Sequence, residues 1–308
     1  MKRVVVCMAV AVFLLLNWRA LVFSETDKSV EDVMKEEGLI TEQEYNAAKK
    51  HRIYLHEEQP LQAQLAEPLK AHTWELGTEV SHITYKEPGV MEEKGMMYGI
   101  VGSYTYHDNF MLKADGRFSY GQVDYTGSGT MDNIGDYILE FRGVGGYDFS
   151  VFTASTLTPY IGIGYRYLND DFAGTTSTGA SGYEREQSYF YSPIGIETST
   201  ELKNGWSIGA ILEYDIFWSG KNKSHFSDAS PTYNDLEFNQ DKGYGYRGSI
   251  KFQKKGEKLD FVIEPFIRYW NIKQSDQDLL RINGIPYAYY VEPNNNSTEI
   301  GCKLAVKF

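Results

Sequence analysis

From about Thr73 to the final residue the sequence alternates apolar and polar side chains with a period of two. Phe110, Leu112, Ala114, Gly116, Phe118 and Tyr120 interleave with Met111, Lys113, Asp115, Arg117 and Ser119. Trp206, Ile208, Ala210, Leu212, Tyr214, Ile216 and Trp218 interleave with Ser207, Gly209, Glu213 and Asp215. Successive side chains of a strand point to opposite faces, so such a run describes a strand with one apolar and one polar face. Ten runs of this kind are found, at roughly 72–86, 95–106, 110–125, 136–149, 158–168, 187–202, 206–219, 243–253, 258–272 and 298–308. This pattern predicts an all-β chain.

The spacers sort by length. His107 to Asn109, Ser150 to Leu157, Lys203 to Gly205 and Lys254 to Glu257 are short, whereas 87–94, 126–135, 169–186, 220–242 and 273–297 are longer and polar. Tight turns at one end and long loops at the other are the layout of a ten-stranded antiparallel up-and-down transmembrane β-barrel. The turn lengths also preserve the faces: three residues at Lys203 to Gly205 keep odd opposite odd, and four at Lys254 to Glu257 accommodate a change of parity. Closed by that four-residue turn, opposed residue numbers sum to 511, which predicts that Arg247 faces Glu264 and Lys251 faces Asp260.

Composition removes other classes. The chain has one long apolar run, at its N-terminus, so a bundle of membrane helices is excluded. Aromatic residues make up 15% of the chain, which argues against disorder. The net charge of -12 argues against a nucleic-acid partner. Lys2 and Arg3, the apolar stretch Val4 to Leu16, and Val22 and Ser24 before Glu25 read as a secretory signal peptide, residues 1–24. Losing Lys2, Arg3 and Arg19 would leave a mature charge of -15, with Cys302 as the sole cysteine and no intramolecular disulfide. Cys7 lacks the small residues of a lipobox.

Residues 25–58 carry two capping-box spacings, Ser29 with Asp32 and Thr41 with Glu44, separated by Gly38. This predicts a short periplasmic α-helical hairpin that resembles the SHOCT domain, a contact module for a periplasmic partner. Residues 59–70, with Pro60 and Pro68, are the expected linker, and 71–308 the barrel.

The last strand places Ile300, Cys302, Leu304, Val306 and Phe308 two apart and ends on an aromatic. It resembles the β-signal of Gram-negative outer-membrane proteins. With the ten runs, the chain as a whole resembles a Gram-negative outer-membrane β-barrel protein. The resemblance implies the cell outer membrane as location, outer-membrane lipid and lipopolysaccharide as surroundings, and the barrel-assembly machinery as partner.

The polar faces carry both signs of charge: Lys113, Asp115, Arg117, Glu140, Arg142, Arg166, Glu213, Asp215, Arg247, Lys251, Asp260, Glu264 and Arg268. A barrel of this size is filled by its own side chains, so these predict a salt-bridged lumen. The alternatives are a narrow channel or small-ligand uptake barrel, and a hydrolase. Ten strands resemble the omptin proteases, which use paired aspartates and an Asp-His pair at the outer rim. Here Glu213 and Asp215 are the nearest acidic pair and His225 lies in the following loop, with no Asp-x-His motif at a strand end. Asp170-Asp171 reads as a solvated loop pair. No Walker loop, HExxH or cysteine cluster occurs, so no catalytic residue, cofactor or metal is expected. The sequence-level reading is a non-enzymatic barrel displaying long extracellular loops.

Overall fold

The computed structural model describes residues 71–308 except 153, together with Lys35, Thr41, Glu42, Gln43, Tyr45 and Asn46. The chain divides into Met1–Ala63 and Gln64–Phe308. In the first unit Glu42, Gln43, Tyr45 and Asn46 are helical, the Tyr45 amide donates to the Thr41 carbonyl at 2.9 Å, and Lys35 pairs with Glu42. The signal sequence, the linker and the rest of the expected hairpin lie outside the described residues.

Among the described residues the second unit has fourteen strands: β1 (His72–Glu87), β2 (Met91–Asp108), β3 (Phe110–Thr126), β4 (Thr130–Tyr147), β5 (Phe149–Phe152), β6 (Ser155–Asp171), β7 (Arg185–Glu201), β8 (Trp206–Ser224), β9 (Leu236–Gln240), β10 (Gly243–Lys254), β11 (Asp260–Ile272), β12 (Gln277–Ile282), β13 (Ile285–Val291) and β14 (Asn295–Lys307). Ten of them form a closed antiparallel barrel in the order β1-β2-β3-β4-β6-β7-β8-β10-β11-β14, with β14 returning to β1. Phe308 and Trp74 exchange two backbone hydrogen bonds of 2.9 Å at the seam. Closure leaves no unpaired barrel edge, which spanning a bilayer requires because lipid cannot hydrogen-bond a free amide. Among the described residues the remaining strands are additions: β5 borders the start of β6, β9 pairs the upper part of β8, and β12–β13 is a separate hairpin.

The alternation sorts as expected. Leu76, Tyr98, Ile100, Phe141, Ile163, Leu212, Trp218, Phe261 and Ile300 are exposed on the outside, an apolar belt fit for acyl chains. Opposite them point Glu79, Arg117, Glu140, Glu213 and Glu299, all buried in the bore. The bore is not polar throughout. Ile83, Met97, Val123, Ile134, Ile138, Leu168 and Phe172, with Tyr85, Met91 and Tyr125, form an apolar cluster. Tyr189, Tyr191, Phe217, Trp270 and Ile272 form another.

Three expectations need correction. First, β10 and β11 pair with residue numbers summing to 515, not 511: Arg247 opposes Arg268, and Phe252 opposes Ile263. The last pair is Lys254 with Phe261, so the turn is longer than four residues. The Lys255 amide donates to the Gly205 carbonyl at 2.7 Å, which draws the chain toward the β7–β8 turn and away from β11. The ladder lapses where Pro265, lacking an amide proton, meets Ile250. Second, two of the five longer connections are tight, because their strands run on: Glu87 pairs with Met91, and Thr126 with Thr130. The 172–184, 225–242 and 273–294 connections are long, the latter two enclosing β9 and β12–β13. Third, Asp170 is buried and opposes Arg185 rather than lying in a solvated loop.

The turn at Lys203–Gly205 has the expected three residues. Asn204 and Gly205 both take positive φ, 61° and 70°, a conformation that favours Asn and Gly over other side chains.

Candidate functional site

Because strand faces alternate, every second residue of the barrel is forced into the bore, and its charges must find partners there. All thirteen predicted lumen residues, Lys113, Asp115, Arg117, Glu140, Arg142, Arg166, Glu213, Asp215, Arg247, Lys251, Asp260, Glu264 and Arg268, are buried or half-buried there.

They assemble into layers. In one layer Arg117 is a hub. Its Nε donates to Glu140 at 2.8 Å, Nη1 to Glu79 at 3.1 Å, and Nη1 and Nη2 to the two oxygens of Glu299 at 3.0 and 3.1 Å. Arg268 joins Glu79 and Glu299 from the opposite side, at 2.8 and 3.0 Å. The hydroxyls of Ser119 and Ser81 donate to the same two glutamates. A second layer is built on Arg247, which bonds Glu140, Glu213 at 3.1 Å, Asp215 at 2.9 Å and the Tyr191 hydroxyl. Arg142 bridges Asp115 and Glu213 at 2.8 Å each. Tyr160 donates to Glu213 and Tyr191 to Glu140. Nearer the chain ends Glu75 accepts from Lys251 and Lys303 at 2.7 and 2.6 Å, and Lys113 reaches Glu197 at 3.4 Å.

These contacts cross the bore. Arg247 on β10 meets Glu140 on β4, and Lys113 on β3 meets Glu197 on β7. A cavity of about 110 Å³ lies among the layers, bordered by Arg117, Arg142, Arg247 and Lys251, and one of about 70 Å³ lies toward the short turns, bordered by Glu75, Lys113, Glu197 and Lys307.

Arg166 stands apart: it is buried, lies over the Tyr189 ring, and its Nε has no partner. Asp260 bonds Gln253 and the Gly256 amide rather than Lys251, and Glu264 bonds Lys303 and Ser249 rather than Arg247, as the 515 register dictates. Glu75, Glu79, Glu197, Glu299 and Lys303 belong to the web but were absent from the sequence-level set. Glu75 and Glu79 stand on the polar positions of the first alternating run, so its period alone could have found them.

Toward the long loops the web turns acidic. Arg185 is the shared cation of Glu87 at 2.7 Å, Glu93 at 2.9 Å and Asp170 at 2.7 Å. Asp136 is buried with one carboxylate oxygen unpartnered. Glu292, in the β13–β14 connection, accepts from Tyr85 at 3.4 Å. Burial first, and then the neighbouring Glu87 charge, push its carboxyl up to about 8.

The expected acidic pair does not meet a histidine. Glu213 and Asp215 are held by Arg142 and Arg247, whereas the His225 ring bonds Glu186 and faces Asp235. The terminal residues Ile300, Leu304 and Phe308 are exposed on the outer wall, Cys302 and Val306 lie half-buried between them, and β14 is hydrogen-bonded on both edges.

No protein-family model matches the chain, and no curated protein matches it. Solved structures do. The outer-membrane protease OmpT of Escherichia coli is 10% identical, covers 79% of this chain and 97% of its own, and superposes with a TM-score of 0.56. The translocator domain of the autotransporter NalP of Neisseria meningitidis, 12% identical over 84% of this chain and 97% of its own, gives a TM-score of 0.38. The toluene transporter TodX of Pseudomonas putida, 10% identical over 77% and 89%, gives 0.32. The OmpT likeness establishes the outer-membrane barrel fold and, at that identity, the fold alone.

Proposed function

We propose that this protein is a non-enzymatic outer-membrane barrel whose bore is closed by its own ion pairs and whose long connections are displayed outside the cell. The observation that carries this reading is the set of contacts between opposite walls. Arg117, Arg247 and Arg268 each bond acids from other strands, so the lumen is cross-linked rather than lined. A conductive path needs mobile water and ions along its length, whereas these guanidinium groups are nearly dry: the Arg117 side chain is 6% exposed and that of Arg247 9%. Export through the signal sequence, insertion by the barrel-assembly machinery through the terminal β-signal, contact with lipopolysaccharide, and periplasmic binding by the N-terminal hairpin belong to the same proposal.

Planar-bilayer recording of the refolded mature chain tests it. Wild-type protein should show no steady single-channel steps, and Arg117→Ala with Arg247→Ala should raise conductance. Steady steps in the wild type would favour the channel reading. Cleavage of a peptide library that survives Asp215→Asn but disappears with His225→Ala would favour a hydrolase built on the rim histidine.

A further inference from the structure

The rim of the barrel carries a group of ligating side chains that the closed bore does not use. β7 and β8 pair with Arg185 opposite Ser224 and Glu186 opposite Lys223. One step further along, the His225 amide donates to the Glu184 carbonyl at 2.9 Å, so Glu184 lies directly across from His225. Arg185 and Ser224 are buried in the bore, so Glu184, Glu186 and His225 share the opposite face of the sheet. A residue and its diagonal neighbour across a ladder are within side-chain reach of one another. Here one histidine nitrogen and one oxygen from each carboxylate all lie within 4.8 Å of one another.

From this geometry we propose that Glu184, Glu186 and His225 form a binding site for a divalent transition metal of the zinc class, which ties the segment after β8 to the start of β7. One nitrogen and two carboxylate oxygens suit that class, and a fourth position is left for water. Four-coordinate donors at zinc bond lengths stand roughly 3.4 Å apart, so small side-chain movements suffice. The His225 Nε2 now lies 2.8 Å from Glu186 Oε1. The metal takes the place of the proton between them.

The groups around the site support this assignment. His225 Nδ1 faces Asp235 at 3.3 Å, the carboxylate–imidazole arrangement that turns the other ring nitrogen toward a metal. Tyr167 donates to Glu186 Oε2 at 2.7 Å, leaving Oε1 toward the histidine. Asn169 donates to Glu184 Oε1 at 2.6 Å. Each carboxylate is thus oriented by a neutral donor. Asp235 is fixed in turn by the amide and hydroxyl of Ser227, at 3.2 and 2.6 Å. The His225 side chain is 18% exposed and that of Glu186 31%, so an ion can enter from solvent. Lys223, across from Glu186, is the cation with which the metal competes.

The test is Zn²⁺ titration of the full mature barrel in detergent by calorimetry, with Co²⁺ as spectroscopic probe. Wild type should bind one Zn²⁺ per chain, and Co²⁺ should give the visible absorption of a four-coordinate site that Zn²⁺ erases. His225→Ala and Glu184→Gln should each abolish both signals. Asp235→Asn should keep the stoichiometry and weaken the affinity about 10- to 100-fold. Retained heat-modifiable migration shows that each variant is folded. The absence of stoichiometric binding in the wild type, unchanged binding in His225→Ala, or equal binding of Ca²⁺ and Mg²⁺ would each overturn the proposal; the last would show carboxylates acting without the histidine. None of these results depends on whether the bore conducts.

Discussion

Arg247→Ala is the most direct test of the lumen. The guanidinium lies among Glu140, Glu213 and Asp215, whose side chains are 3%, 1% and 0% exposed. Glu140 retains Arg117 and Glu213 retains Arg142, but Asp215 has Arg247 as its ion-pair partner and already holds one oxygen without a hydrogen bond. Truncation therefore strands a buried carboxylate. Breaking a buried pair from one side costs about 3–5 kcal/mol. The Lys221–Glu237 pair, with side chains 54% and 51% exposed, provides the contrast, and Lys221→Ala should cost about 0–1 kcal/mol. The assay is urea unfolding of the refolded chain in lipid vesicles, read as a midpoint shift at unchanged slope. Adding Asp215→Asn to Arg247→Ala should recover part of the loss, because the stranded charge goes with it. An Arg247→Ala loss below about 1 kcal/mol, or no recovery in the double variant, would refute the stranded charge, since water or a proton would then be stabilising the orphaned acid.

Four further outcomes are expected. Glu292 titrates at about 8 in the fold and near 4.5 when exposed, so the folded state holds a proton that the unfolded chain has lost between those values. Stability should therefore fall as pH rises from about 4.5 to 8, and Glu292→Gln should flatten that slope in urea midpoints taken at pH 5 and 8.5. Gly164→Val should destabilise the barrel by about 1–3 kcal/mol in the same assay, because a side chain there collides with the buried Tyr191 ring that donates to Glu140. Deleting Phe308 should leave periplasmic, protease-sensitive chain in place of heat-modifiable barrel. In a Cys302→Ser background, Gly248→Cys with Ile267→Cys should crosslink and Gly248→Cys with Ile263→Cys should not, since the 515 register opposes only the first pair.

Much of the fold was legible because a barrel in lipid must present an unbroken apolar wall, and period two writes that wall directly into the sequence. Strand number, the inward face and the Lys203–Gly205 turn follow from it. The loop end was harder to read. Polar residues such as Glu87 and Asp170 look like loop positions, yet the strands carry them into the bore beside the apolar cluster that holds Met91 and Leu168. The rim group of Glu184, Glu186 and His225 was hidden for another reason. His225 is about forty residues from Glu184 and Glu186, and their meeting depends on which β7 residue opposes Ser224. Alternation cannot fix that pairing.

The β10–β11 hairpin shows why alternation falls short and what completes it. Sums of 511 and 515 place the same residues in the bore and the same residues on lipid, so the apolar pattern is indifferent between them. The four-residue slide from one sum to the other moves each inward charge about 14 Å along its neighbour while leaving every face correct. The ion web is not indifferent. Arg247 on β10 requires Glu140 from β4 with Glu213 and Asp215 from β8, and Arg268 on β11 requires Glu79 from β1 and Glu299 from β14. A slip at any of these ladders pulls a buried guanidinium off at least one of its acids, which costs far more than the slip itself. Buried ion pairs add little net stability compared with well-packed apolar residues, but they discriminate strongly between registers. The ion web therefore resolves an ambiguity that the lipid-facing pattern leaves open.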